Sequence, residues 1–167
     1  MSANPVIIAN AVLSTLTDFN LFPSVSAAQA ILESRNGESA LSRSPNNNFF
    51  GFKAGSTWKG ETVTFNTQEA TGQERAAFRK YSSPLRSFVD RNQLFYRWSR
   101  YAQVVSAKTP EDQIAAIGRS GYATDPRYAE KLLNVLKTYN LERLDVIRPT
   151  LISAAGLFIM YQLIENQ

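Results

Sequence analysis

The chain of 167 residues is 44% apolar and 19% charged, and it contains neither His nor Cys. That balance suits one folded domain with a sizeable core, while the two missing residue types exclude Ser-His-Asp triads, thiol nucleophiles, His or Cys zinc sites and disulfides. Eighteen basic against fourteen acidic side chains leave a net charge of +4, scattered without a Lys/Arg block, so no nucleic-acid partner is indicated and acid–base chemistry is left to carboxylates, Tyr or Lys.

The first element is predicted from Pro5 to Phe19, where Val6, Ile7, Val12, Leu13 and Leu16 fall close to helical spacing. It has no positively charged leader and runs into Asp18, which marks a core helix and not a signal peptide. After a break at 20–23, a second helix is predicted from about Ser24 to Glu33. SVSAAQAIL is small or apolar on nearly every face, the mark of a buried helix, and Glu33 sits at its end. A polar, turn-rich stretch follows. Val63, Phe65 and Thr67 then alternate with polar neighbours, which argues for a small antiparallel β-lobe over about 47–81.

Helices return at Ser83-Pro84, an expected cap and first helical residue, with Leu85, Phe88, Val89, Leu94 and Phe95 as the apolar stripe. Thr109-Pro110-Glu111-Asp112 has the form of a capping box. Asp125-Pro126 is expected to open another helix, along which Tyr128, Leu132, Leu136 and Tyr139 recur at helical spacing. The fold class is therefore α+β, mainly α. Between Arg148 and Glu165 lie sixteen uncharged residues, which as a helix span roughly 24 Å against the ~30 Å of a bilayer core. Two readings stand for this tail: a helix docked on the domain or on another subunit, or a short membrane anchor flanked by Arg143 and Arg148. The expected division is a domain over 1–147 and a hydrophobic segment over 148–167.

Most carboxylates, including Asp112, Asp125, Glu130, Glu142 and Asp145, sit beside charges or at caps. Glu33 differs, because desolvation at the edge of a buried helix raises a carboxyl toward the range a general acid needs. The same place also suits a cap on a neighbouring helix or a pair with Arg35. A second carboxylate across a cleft would complete a glycosidase-like pair, and composition does not rank Glu61, Glu69 and Glu74 for that role. Phe49, Phe50, Phe52, Trp58 and Tyr81 suit either the core of the β-lobe or stacking on sugar faces.

Six blocks occur in a familiar order: AAQAILES at 27–34, NNFFGFKA at 47–54, TWKG at 57–60, TQE at 67–69, FRKYSS at 78–83 and GYATDPRYAEKL at 121–132. Together they resemble glycoside hydrolase family 73, the peptidoglycan endo-β-N-acetylglucosaminidases that include flagellar rod-cap hydrolases and autolysin domains, over about residues 5–142. The resemblance implies a lysozyme-like fold in which a helical lobe and a small β-lobe frame a glycan cleft. It implies Glu33 as general acid, Glu69 as second carboxylate with Glu74 and Glu61 close by, and Tyr122 at the catalytic centre. Asn48, Phe50 and Gly51 match the segment that packs under and lines the cleft, and Trp58, Tyr81 and Tyr128 are further expected substrate-binding positions.

The activity implied is hydrolysis of the β-1,4 bond after N-acetylglucosamine, without metal or organic cofactor. The expected partner is the peptidoglycan glycan strand, with membrane, virion or secretion-device association through 149–164 if the tail is an anchor, as in a virion-associated lysin. The expected location is the wall or periplasm, reached without a classical signal peptide. Alternatives are a muramidase or lytic transglycosylase on the same fold, and a non-catalytic wall-binding module. One departure stands out: the family commonly reads E-S-G-W-G-x-S, and here Arg35-Asn36 replaces the Gly-Trp pair, which is expected to reshape the floor around the acid.

Overall fold

Prolines set the starts of the helices. Helices α1 (Pro5–Ser14), α2 (Pro23–Ser34), α3 (Pro84–Arg97) and α5 (Pro110–Arg119) each begin on one, where the ring presets φ and the absent N–H has no helical partner to lose. Between α3 and α5 lie a 3₁₀ turn (Ser99–Tyr101) and the short α4 (Ala102–Ser106), and α6 (Tyr128–Thr138) follows. Strands β1 (Thr62–Glu69) and β2 (Gly72–Arg79) complete the set. The computed structural model describes residues 2–16, 18, 20–69 and 72–146, with backbone alone at 67–69 and 72–74. The hydrophobic segment expected over 148–167 lies outside the described residues; among those described, no helix is long and apolar enough to cross a membrane.

Several boundaries differ from expectation for local reasons. Helix α1 stops at Ser14, not Phe19, because Thr15 Oγ1 donates back to Ala11 O at 2.9 Å while its amide bonds Val12 O in a tightened last turn. Ser83 stands in extended conformation before α3, but its side chain makes no capping bond. At α5 the expected cap is present, Thr109 Oγ1 accepting from the Asp112 amide at 3.1 Å. Asp125-Pro126 does not begin α6. It forms the turn before it, with Asp125 Oδ1 accepting from Arg127 N and Asp125 O from Tyr128 N.

The two strands pair antiparallel, from Thr62 opposite Arg79 to Glu69 opposite Gly72. Val63 and Phe65 are half-buried and Phe78 is buried, whereas Thr62, Thr64 and Asn66 are exposed, so the period-two alternation reports one covered face. The preceding segment runs along β2, with Ala54 N donating to Ala77 O at 2.8 Å and Arg79 N to Phe52 O at 2.9 Å.

Helix α2 is the central element, packed against α1, α5 and α6. Val25, Ala27, Ala28, Ala30 and Ile31 are all buried in it. Its N-terminus borrows a cap from far along the chain. Phe22 offers no side-chain acceptor, and Asp145 supplies one, accepting from Ser24 N at 3.0 Å and Ser24 Oγ at 2.6 Å. A carboxylate there satisfies an orphan amide and complements the helix dipole. Asp145→Ala should cost about 1–2 kcal/mol, measured by thermal or denaturant unfolding.

At its other end, α2 stops on three consecutive left-handed residues, Arg35 (φ 52°), Asn36 (φ 57°) and Gly37 (φ 84°). The Arg35-Asn36 departure is thereby explained in part. Asn tolerates this region, and Asn36 Oδ1 accepts from Asn4 N at 2.9 Å while Asn36 O accepts from Asn4 Nδ2 at 3.1 Å. Asn36 therefore ties the turn to the start of α1. A Cβ at Gly37 would meet Asn4 Nδ2 at 2.4 Å, at a φ that other residues adopt with strain. Gly37→Ala is expected to lose about 1–3 kcal/mol, again read by unfolding.

Candidate active site

Two helix ends create the site. The last turn of α2 presents Glu33, and the turn built by Asp125 delivers Tyr128 as the first residue of α6. The Tyr128 hydroxyl donates to Glu33 Oε1 at 2.6 Å. Gln29, one turn before Glu33 on the same face of α2, donates from Nε2 to the Tyr128 hydroxyl at 3.2 Å. Behind it lies Arg91 of α3, fully enclosed. Its Nε donates to Gln29 Oε1 at 2.9 Å, its Nη2 makes a second bond to the same oxygen, and Nη1 donates to Asn92 Oδ1 at 2.8 Å. The guanidinium carbon lies 4.5 Å from the centroid of the Phe95 ring.

Tyr122 completes the cluster, its ring 5.7 Å from that of Tyr128 and 5.9 Å from Phe95. The ring is half-buried, yet its hydroxyl oxygen is enclosed and lacks a hydrogen-bond partner. A buried hydroxyl without a partner is costly, and with its oxygen enclosed this one has no contact with bulk solvent.

Electrostatics follow from that packing. Glu33 as a residue is exposed, yet its carboxyl, turned onto Tyr128, is desolvated by the protein packed around it and pushed above the usual carboxylate range, with the Tyr128 hydrogen bond pulling the other way. Burial dominates because a hydrogen bond from one neutral donor offsets only part of a lost hydration shell. Tyr128 and Tyr122 are raised chiefly by burial, with the Glu33 charge adding to it, so both stay protonated. Burial lowers Arg91 to about 10, and it remains a cation at neutral pH.

The other expected site residues fall elsewhere. Asn48 is buried with all its polar atoms engaged: Nδ2 donates to Phe52 O at 3.0 Å and Arg79 O at 2.8 Å, and Oδ1 accepts from Phe52 N. It clamps the 48–52 turn to the hairpin. Phe50 is buried edge-on against Phe88, with centroids 4.9 Å apart, and Gly51 adopts φ 64°. Trp58 and Tyr81 meet edge-to-face at 5.5 Å and line a different concavity of about 620 Å³, together with Glu61, Lys80, Arg86 and Asp90. Neither Glu33 nor Tyr122 nor Tyr128 lines it. Tyr81 donates to Asp90 Oδ2 at 2.6 Å. The nine expected positions thus divide, with Glu33, Tyr122 and Tyr128 brought together and Trp58 and Tyr81 gathered apart from them.

Of the β-lobe carboxylates, Glu61 is ion-paired with Lys80 at 2.6 Å, which holds it as an anion. Glu69 ends β1 and Glu74 lies opposite Thr67, but the side chains of both are outside the described residues. Gln29 and Arg91 were not singled out from the sequence. The signals were a lone long polar residue inside an otherwise small, apolar helix, and an Arg three after Phe88 and four before Phe95 on the buried stripe of α3.

A scan of family models matches residues 9–141 to the glucosaminidase family, described as mannosyl-glycoprotein endo-β-N-acetylglucosaminidase. The exo-glucosaminidase LytG of Bacillus subtilis is 40% identical over 142 residues, 80% of this chain and 49% of LytG. A probable N-acetylmuramidase of Lactococcus lactis subsp. cremoris is 40% identical over 156 residues, 86% of this chain and 33% of that protein. The chain thus spans half or less of these curated relatives. Among solved structures, a peptidoglycan hydrolase from Sphingomonas sp. A1 superposes with a TM-score of 0.72 at 30% identity, covering 87% of this chain and 95% of that one. A family match over most of the chain, relatives at this identity and a shared lysozyme-like architecture agree with the six sequence blocks: the chain belongs to the glucosaminidase family, glycoside hydrolase family 73.

Proposed function

We propose that this chain hydrolyses the β-1,4 bond following N-acetylglucosamine in peptidoglycan, with Glu33 as the general acid. The observation that carries the proposal is a carboxyl raised by desolvation and oriented by the Tyr128 hydroxyl at 2.6 Å. A general acid must hold its proton at the working pH and release it to the leaving oxygen in the transition state, and this environment favours the first without blocking the second. The names of LytG and of the Sphingomonas hydrolase support the bond and the substrate.

In this mechanism Glu69 is the second carboxylate, activating water or stabilising the oxocarbenium-like transition state from the opposite side of the sugar. Tyr122 belongs to the catalytic centre, its ring 5.7 Å from that of Tyr128. The conformation of the 48–52 turn, clamped by Asn48 and seated on Phe50, shapes the ground beneath the glycan. The place of action is the cell wall; of the two readings of the tail, the anchor has segment 149–164 associate the chain with a membrane or particle surface, and the docked helix does not. Co-sedimentation with lipid vesicles, compared between the full chain and one ending at Arg148, tests that association.

The muramidase reading draws on the name of the Lactococcus relative. Mass spectrometry of purified peptidoglycan digested by the wild type and by Glu33→Gln separates the two. Reducing N-acetylglucosamine ends, absent from the variant digest, are the expected result. Reducing or anhydro-muramic ends would move the cleavage to the other bond, and wall binding without soluble products would make the chain a binding module.

A further inference from the structure

We propose that Arg91 and Gln29 are positioning residues that fix the direction of a hydrogen-bond chain ending on Glu33, so that the acid's transferable proton is held on Oε2. The proposal deepens the reading of Glu33 as general acid and rests on it.

The direction follows from donor and acceptor inventory. A guanidinium only donates, so Gln29 must turn Oε1 toward Arg91, where it accepts from Nε at 2.9 Å and from Nη2. Its amide nitrogen is then committed to the far side, where it donates to the Tyr128 oxygen at 3.2 Å. That oxygen, having accepted from Gln29, has one hydrogen of its own, and Glu33 Oε1 lies 2.6 Å away to receive it. Every link therefore points from the buried cation to the carboxyl. Such chains polarise one another in a low-dielectric interior.

The consequence for catalysis is specific. With Oε1 occupied as an acceptor, the carboxyl proton resides on Oε2. During bond cleavage the Oε2–H bond breaks, the glycosidic oxygen takes the proton and the electron pair of the breaking C–O bond, and Glu33 is left as a carboxylate. The new charge is met by a Tyr128 hydroxyl already aimed at it. Without the cation behind Gln29, the amide is free to flip and the hydroxyl to rotate.

Other charges around Glu33 do not provide this orientation. Tyr122 and Tyr128 face it from the loop before α6 and from α6 itself, and Asp18 acts on Arg91 from the loop after α1. Helix α1 has no ionisable side chain, and on α5 Glu111, Asp112 and Arg119 are exposed, as is Arg35 beside the acid.

The test is a titration that does not depend on turnover. The carbon-13 shift of the Glu33 carboxyl, assigned by its loss in Glu33→Gln, is followed against pH in the full chain. Gln29→Met alone strands a buried guanidinium, so it is paired with Arg91→Met to keep the fold. Tyr128→Phe and the Gln29→Met/Arg91→Met pair are each expected to raise the Glu33 midpoint, by about half a pH unit or more. The pair should add nothing further in the Tyr128→Phe background, since the chain is already cut there. A shift that persists undiminished in that background would assign the effect to charge acting through space and overturn the proposal. So would a pair that leaves the midpoint unmoved while Tyr128 is present. Failure of the wild type to cleave peptidoglycan would remove the proposed function but leave this titration readable.

Discussion

Glu33→Gln is expected to lose roughly 10²–10⁴-fold in kcat/KM on peptidoglycan and, at neutral pH, to melt higher than the wild type. Both effects come from one cause. The folded protein raises the Glu33 carboxyl by desolvating it, so ionisation there is disfavoured relative to the unfolded chain. Below about pH 4, where Glu is protonated in both states, the wild type and the variant should have similar stability. As pH rises through the unfolded value toward the raised folded one, the unfolded state sheds its proton first, and wild-type stability falls. Gln has no proton to shed, so its advantage opens in that window and persists above it.

The same sign governs activity. A general acid works while protonated, so wild-type kcat/KM should fall as pH rises through the folded Glu33 value, giving an alkaline limb above the ordinary carboxylate range. Thermal unfolding of both proteins at pH 4 and pH 8, with a pH–rate profile of the wild type, checks the set. A variant that melts lower at pH 8 would show that the site does not desolvate Glu33.

The largest stability effect is expected from Gln29→Leu, about 3–5 kcal/mol, or on the order of 10 °C in Tm for a chain of this size. Arg91 has no exposed surface, and Gln29 Oε1 receives two of its N–H groups. Leu matches the volume but leaves those donors unpaired on a buried charge, the costly case. Adding Arg91→Met removes the stranded charge and should recover much of the loss, because an apolar replacement for both partners avoids the desolvation of the cation. Thermal melts of the single and double variants measure this directly. A single variant within 1 kcal/mol of the wild type would mean that Asn92 and the Phe95 ring suffice to hold the guanidinium.

Much of the fold was legible because its signals are local. Proline marks helix starts through φ and a missing N–H, and this mark succeeded at α1, α3 and α5, while the residue before it caps with its side chain at α5 and not at α3. The alternation of Val63 and Phe65 announced a hairpin because side chains on a strand change face at each residue. The all-round apolar character of SVSAAQAIL announced a buried helix, and from that the position of Glu33 already suggested an unusual carboxyl. Where local competition decided the matter, expectation slipped: Thr15 ended α1 early, and Asp125-Pro126 built a turn that delivers Tyr128 instead of the helix itself.

The sequence by itself determined the helix and hairpin order, the absence of His and Cys chemistry, and the family, through six spaced blocks. Tertiary structure alone decided which polar groups meet. Asp145 caps α2 from 121 residues away, and Arg91 reaches Gln29 across 62. Asn48 gives its amide to the hairpin, and Trp58 and Tyr81 gather at a concavity that Glu33 does not line. Periodicity and capping report geometry within a few residues, whereas a carboxyl's proton affinity depends on what lies within a few ångströms in space. Those neighbours come from helices brought together only when the chain packs.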